Sequence, residues 1–334
     1  MVNLLEINNL CIDYDSPRGK VKAVHNVSFT IKKGEIFGLV GESGCGKSTT
    51  AFGISRLLRP PAQISAGSIT LNGQELTHLS EAEFDKLRWS HISIVLQSAM
   101  NNLNPVIKIQ EQLIDAILAH KAMSAEEAIN HAKYLLRLVD INEERLANFP
   151  HELSGGMRQR VVIAMALALQ PDLIIMDEPT TALDVVVQNG IIHKILELQK
   201  DFGFSILFIT HDLPLMLEIC DRIGVMYAGE LVEVTKREDL MEQARHPYTQ
   251  GLLESFPPLK GEKRRLKGIS GHPPDLVTPP DGCSFHPRCP YAMLQCKQKE
   301  PEKLHDNKGI IACHLYQEGG HRFEQLQTTS EGTK

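Results

Sequence analysis

Short apolar runs alternate with longer stretches of helical period along most of the chain. EIFGLV (residues 35–40), LIIMDE (173–178) and SILFIT (205–210) have the length and branched-residue content of buried strands. Segments between them, such as EEAINHAKYLLRLV, repeat their apolar positions every three to four residues and read as amphipathic helices. Strand and helix signals in alternation predict an α/β fold with parallel strands in its core. Between Ser80 and Asn148 the sequence is rich in Ala, Leu and Glu, which predicts an inserted helical subdomain at about residues 80–165. Trp89 and its neighbours at helical spacing are expected in the core. After about His246 the period is lost in SFPPLKGEKRRLKGISGHPPDLVTPPDG, a stretch dense in Pro, Gly and charge. A mixed-sheet domain over residues 1–245 and a small loop-rich extension over 246–334 are therefore expected.

Composition narrows what such a chain can do. Its 334 residues suit about two domains. The net charge of −6 argues against nucleic acid as a partner, because a polyanion needs clustered positive charge. The start, MVNLLEINNL, lacks the cationic run and apolar stretch of a secretory signal, so an intracellular chain is expected. The longest apolar run, VVIAMALAL, is about half of the ~20 residues needed to cross a bilayer, so any membrane role is expected to be peripheral. Thiols inside a cell stay reduced, so a cluster among the cysteines suggests metal before disulfide. The basic run KGEKRRLK reads as a solvated linker rather than a lipid contact.

The strongest chemical signal is GESGCGKST, residues 41–49, which fits G-x-x-x-x-G-K-[ST] between a strand and a helix. Gly41, Gly44 and Gly46 let the backbone wrap, so that N–H groups of Ser43, Cys45 and their neighbours point at phosphate oxygens. The following helix N-terminus reinforces them. Lys47 adds a positive charge at the β- and γ-phosphates, Ser48 offers a hydroxyl to Mg²⁺, and Thr49 completes the loop. Cys45 reads as a small filler, although a thiol at a helix N-terminus ionises readily. Downstream, LIIMDEP ends an apolar strand in two carboxylates. Asp177 is the expected Mg²⁺ ligand and Glu178 the general base for an attacking water. A nucleoside triphosphate with Mg²⁺ is thus the expected ligand.

Between these motifs lies LSGGMRQR, in which Ser154, Gly155 and Gly156 open a helix as a second anion cradle. In this position it closely resembles the signature motif of ABC transporter ATPases. The resemblance implies that these residues touch the γ-phosphate held by the other subunit of a head-to-tail dimer. Met157 stands where the family most often has glutamine. The resemblance further implies that Tyr14 stacks on adenine, that Gln97 contacts Mg²⁺ and water, that Asp184 in TALD communicates between subunits, and that His211 contacts the γ-phosphate. All the catalytic positions are present, so an active ATPase is expected. A single cassette without long coiled coils does not match soluble members that act on ribosomes or DNA. The segment SAMNNLNPVIKIQEQL after Gln97 is the expected docking surface for membrane subunits.

HPYTQGLLESFP and GCSFHPRCPYA resemble the extension of ATPase subunits of dipeptide and oligopeptide importers. That resemblance implies two membrane permease subunits, a second, non-identical ATPase subunit and an extracytoplasmic solute-binding protein, with this chain peripheral on the cytoplasmic face of the inner membrane. Where many peptide members have QDP-x-x-x-LNP, this chain has QSAMNNLNP, so oligosaccharide, nickel or another solute stays open beside peptide. Cys283, Cys289, Cys296 and Cys313 follow C-x5-C-x6-C-x16-C, without the paired C-x-x-C knuckles of zinc ribbons. Four thiolates on irregular loops suit a [4Fe–4S] cluster better, and the resembled subfamily has members that carry one. Zn²⁺, with His272, His286 or His314 replacing one ligand, and unligated or disulfide-paired cysteines are the alternatives. Its distance in sequence from the ATP motifs sets the cluster apart from catalysis, and a structural staple for a loop-rich extension with little core is the expected role, with redox sensing as the alternative.

Overall fold

Two sheets divide the chain. A computed structural model describes residues 2–97, 102–180, 183–255 and 268–317. Residues 98–101 of the expected docking surface and the basic run at 260–267 lie outside the described residues. The smaller sheet is antiparallel, in the order β2 (Gly19–Lys32), β1 (Asn3–Ser16), β4 (Ala62–Leu71), β5 (Gln74–Glu75). The larger is mixed. Its parallel part runs β9 (Arg222–Tyr227), β3 (Ile36–Val40), β8 (Ser205–Ile209), β7 (Leu173–Asp177), β6 (Ile92–Val95). Three antiparallel strands continue it beyond β9, namely β10 (Glu230–Lys236), β12 (Gly309–Ala312) and β11 (Lys303–Asp306).

The continuous apolar runs have a physical reason: β3, β7 and β8 are buried on both faces. Along β7, Ile174 and Met176 join the core under the helices, while Leu173 and Ile175 join the core between the sheets. Phe29 of β2 stacks on Phe37 of β3 across that second core, ring centroids 4.9 Å apart. The helical side is built from α3 (Ile109–Leu118), α4 (Ala125–Leu138), α5 (Gly155–Ala166), α6 (Val185–Phe202) and α7 (Leu213–Ile219), whereas α1 (Lys47–Ile54) and α2 (Glu81–Asp85) put Ala51, Ile54 and Phe84 into the core between the sheets. Helix α4 starts where Ser124 and Glu127 form a reciprocal capping box, and it buries Ala128, Ala132, Leu135 and Leu136, the period read from the sequence.

Two expectations need correction. The helical subdomain does not begin at 80, because ISIV (92–95) is a strand of the main sheet paired with β7. Trp89 is only half-buried, in a left-handed turn at φ 63° that leads into that strand. A four-residue strand between helices carries too little pattern to interrupt a helical reading.

The extension shares the sheet and core of the cassette. Helices α8 (Arg237–Glu242) and α9 (Pro247–Glu254) follow β10. Gly309, Ile310 and Ile311 of β12 pair with Thr235, Val234 and Glu233 of β10. Gly309 must be glycine there, since at φ 122° a Cβ would lie 2.0 Å from the Val234 carbonyl oxygen. The buried Glu233 carboxylate accepts the N–H groups of Arg245 and His246, both at 3.0 Å. His246 Nδ1 in turn accepts the Tyr248 N–H at 3.0 Å and caps α9.

Burial lowers the His246 pKa to about 3. The unfolded chain takes this proton near pH 6.5 and the folded chain does not. The stability that neutral His246 contributes is therefore complete above that pH and is lost as pH falls from 6.5 toward 3. His246→Asn keeps a capping acceptor and removes the titration. Between pH 7 and pH 5 the wild type should lose about 2 kcal/mol more stability than the variant in denaturant unfolding. Equal losses would mean that His246 accepts a proton within the fold.

Candidate active site

Because β3, β6, β7 and β8 are parallel, their carboxyl ends open at one edge of the sheet, where an open α/β sheet binds ligands. β3 ends in the 41–46 loop that enters α1. Gly44 and Gly46 hold φ of 78° and 103°, and a Cβ on Gly46 would lie 2.3 Å from the Ala23 carbonyl oxygen. Lys47 is buried and donates from Nζ to the carbonyls of Gly41 (2.8 Å) and Glu42 (3.0 Å). Cys45 is buried beneath the loop, its N–H bonded to the Glu42 carbonyl, and burial pushes its thiol pKa up. The filler reading therefore stands over the ionised one. Tyr14, half-buried on β1, places its hydroxyl 3.4 Å from Thr49 Oγ1.

Ser48 Oγ donates to Asp177 Oδ1 at 3.1 Å. Asp177 is buried at the end of β7, and burial raises its pKa against the Ser48 hydrogen bond. The next residue, Glu178, turns out of the strand at φ 47°, a strained setting of the kind found at functional sites. Its Oε2 accepts from Gln97 Nε2 at 2.9 Å, and its Oε1 lies 3.1 Å from His211 Nδ1. Gln97 follows β6 and His211 follows β8, so three neighbouring strands each deliver one member of this trio. Such an arrangement can hold a carboxylate in one orientation beside an oxygen pair able to bind a hard cation.

Ser154 caps α5, accepting the Met157 N–H at 3.3 Å, and so presents Gly155 and Gly156 in the first turn. Gly156 packs against α6: a Cβ would lie 2.6 Å from Val187 Cγ1. Asp184 caps α6 through the Val187 N–H at 2.9 Å. Within one chain, then, Ser154 and Asp184 have visible roles as helix caps.

The four C-terminal cysteines gather in the extension. A backbone N–H reaches each sulfur: Phe285 to Cys283, Tyr291 to Cys289, Met293 to Cys296 and Leu315 to Cys313. Burial first, and the neighbouring thiols after it, push Cys283 and Cys313 up to about 12. Among the described residues the trio of His, Cys or acidic ligand atoms within 4.8 Å of one another is His25, Glu230 and Glu300, so no three of the cysteine sulfurs are that close together. His314 has both ring nitrogens engaged, by Gln317 and by the Lys299 carbonyl, and His286 Nδ1 faces the Cys283 carbonyl.

Comparison with known proteins decides the family. The ABC transporter model matches residues 24–181, and the model for the C-terminal region of oligopeptide/dipeptide transporters matches 232–296. The chain is 45% identical over 312 residues to the oligopeptide transport ATP-binding protein OppD of Salmonella typhimurium, covering 93% of each chain. It is 43% identical to the dipeptide transport ATP-binding protein DppD of Bacillus subtilis, over 94% of this chain and 95% of that one. The chain belongs to the ABC transporter family of ATP-binding proteins. Among solved structures it resembles the dimeric ATP-binding cassette MJ0796 bound to ADP and Pi, with a TM-score of 0.63 at 30% identity, over 70% of this chain and 99% of that one. The cassette is accordingly an ATPase subunit of a transporter. Among the described residues no helix is long and apolar enough to cross a membrane.

Three residues at this cassette's phosphate loop escaped the sequence reading: Glu42, whose N–H donates to Tyr248 Oη at 2.9 Å, Tyr248 itself, and Arg288, which pairs with the Glu42 carboxylate. The available signals were the HPY and HPR tripeptides of the extension. Gly156→Ala should destabilise the cassette by about 1–3 kcal/mol through the clash with Val187. Adding Val187→Ala should recover at least half of the loss in melting temperature. An unchanged melting temperature for the single variant would show that α5 and α6 are less closely packed.

Proposed function

We propose that this subunit drives uptake of dipeptides or oligopeptides, working as a peripheral protein on the cytoplasmic side of two membrane permease subunits. A second, non-identical ATPase subunit and an extracytoplasmic solute-binding protein complete the assembly. Support comes from the peptide-transport names of relatives similar over nearly the whole chain and from the match of the extension.

The observation that carries the mechanism is the Glu178 carboxylate held between Gln97 and His211 beside Asp177 and Ser48. The 41–49 loop takes the phosphates of ATP, and Lys47 exchanges its two carbonyl partners for β- and γ-oxygens. Ser48, Asp177 and Gln97 supply oxygen donors that suit Mg²⁺, which when bound neutralises charge on the β- and γ-phosphates. Glu178 takes the proton of the attacking water, and Gln97 and His211 keep it aimed. Ser154, Gly155 and Gly156 serve the nucleotide held by the opposing subunit, so each closed dimer has two shared sites. Tyr14 covers the adenine.

Cys283, Cys289, Cys296 and Cys313 fit a [4Fe–4S] cluster. Their sulfurs accept backbone N–H groups, and no three of them lie within 4.8 Å of one another, whereas sulfurs bound at 2.3 Å around one zinc are all ~3.8 Å apart. Bound there, the cluster would supply cross-links to a loop-rich segment with little core of its own.

Glu178→Gln should leave ATP affinity within about twofold while cutting turnover by at least ~100-fold. ATP binding and phosphate release measured on the purified transporter check both. Turnover near the wild-type rate would remove Glu178 from the role of base. Anaerobic purification with partners should yield two permeases, a second ATPase and about four irons and four sulfides per chain. One zinc per chain would replace the cluster reading.

A further inference from the structure

We propose that Arg288 and Tyr248 of the extension are positioning residues for the phosphate loop, gripping it through the single residue Glu42. This rests on the reading of residues 41–49 as the nucleotide loop. Arg288 donates from Nη1 to Glu42 Oε2 at 2.7 Å and from Nη2 to Oε1 at 3.0 Å, a two-pronged pair across 246 positions of sequence. The Arg288 side chain is 5% exposed. Its Nε donates to the Ser270 carbonyl at 2.9 Å, and its ring neighbour is Tyr227, so the guanidinium has a fixed direction. Tyr248, fully buried, accepts the Glu42 N–H on its hydroxyl. Tyr227 and Phe285 pack edge to face and Tyr248 is tilted against both, with centroids 4.6–5.4 Å apart, so both gripping groups sit in one aromatic cluster.

Glu42 is thus held by its side chain and its N–H, while its carbonyl receives Lys47 Nζ and the Cys45 N–H. Turning Glu42 would turn the carbonyl that seats the lysine. The charge matters as well as the position. A carboxylate in a loop that takes a triphosphate repels its ligand, and the guanidinium cancels that charge in a poorly screened setting. Arg288 directly precedes Cys289, in the short helical turn His286–Arg288, so the cysteine-bearing loop delivers the grip.

The test is calorimetric titration of the full chain with Mg·ATP, alongside melting curves. Arg288→Ala should weaken affinity about tenfold, and Arg288→Ala with Glu42→Gln should recover to within about threefold of Glu42→Gln alone. That rescue separates charge cancellation from mere support, which removing a second partner cannot restore. If Arg288→Ala does not fold, Arg288→Lys, which keeps the charge but not the two-pronged geometry, should fold and bind about threefold more weakly than wild type. Wild-type affinity for every folded Arg288 variant, or a double variant as weak as Arg288→Ala, overturns the proposal. Lys47→Ala serves as the reference. If it loses affinity while the Arg288 variants keep theirs, the grip fails and the nucleotide loop stands; if it keeps affinity, the nucleotide-loop reading itself falls.

Discussion

Burial of β3, β7 and β8 on both faces is the constraint on which the rest depends. A strand covered on both sides can be entered or left only at its ends, and parallel neighbours leave at the same edge. The glycine loop, Asp177–Glu178, Gln97 and His211 therefore meet although they lie far apart along the chain. The two cores divide the labour. One presses the sheets together around Phe29 and Phe37 with α1 and α2 included, and the other binds α3 to α7, so the candidate edge is set by rigid layers rather than by the loops themselves.

At that edge the polar groups satisfy one another. Lys47 is taken up by loop carbonyls, Ser48 by Asp177, and Glu178 by Gln97 and His211. A buried ammonium or carboxylate without partners would cost several kcal/mol, and these internal pairs offset much of it. Each pair is also made of groups that a triphosphate and a hard cation can replace at equal or better strength. Nucleotide binding is then an exchange of partners around fixed backbones, with little desolvation left to offset.

The parts legible in the sequence are those whose signal is local. A continuous run such as LIIMD announces a doubly buried strand, and the Ser124–Glu127 box announces the start of α4. ISIV was lost inside a helical reading because four residues carry no period. The extension was taken for a separate unit because its attachments are long-range: β12 pairs with β10 some seventy positions earlier, and Arg288 reaches Glu42 across most of the chain. GIIA does not differ locally from any short apolar segment, and HPR, although it stands out in the extension, carries nothing that names Glu42 as its partner. The cysteine spacing is legible, whereas the reach of Arg288, the neighbour of Cys289, to Glu42 is not, because separation along the sequence carries no sign of it.

The extension cannot be held by its own interior. Its separate core consists of Ile311, Cys313 and Leu315 with a few half-buried neighbours, far below what orders a segment of this length. What orders it is borrowed: the edge of β10, the carboxylate of Glu233, the aromatic cluster around Tyr227 and the pair between Arg288 and Glu42. Contacts of that kind act in both directions. An element that takes its order from the cassette also restricts the cassette where it touches, and here it touches the loop between β3 and α1. A cluster bound by the four cysteines, as proposed, would do more than keep a surface segment compact. By fixing the turn that carries Arg288, it would limit the orientations open to Glu42, and through the Glu42 carbonyl those open to Lys47.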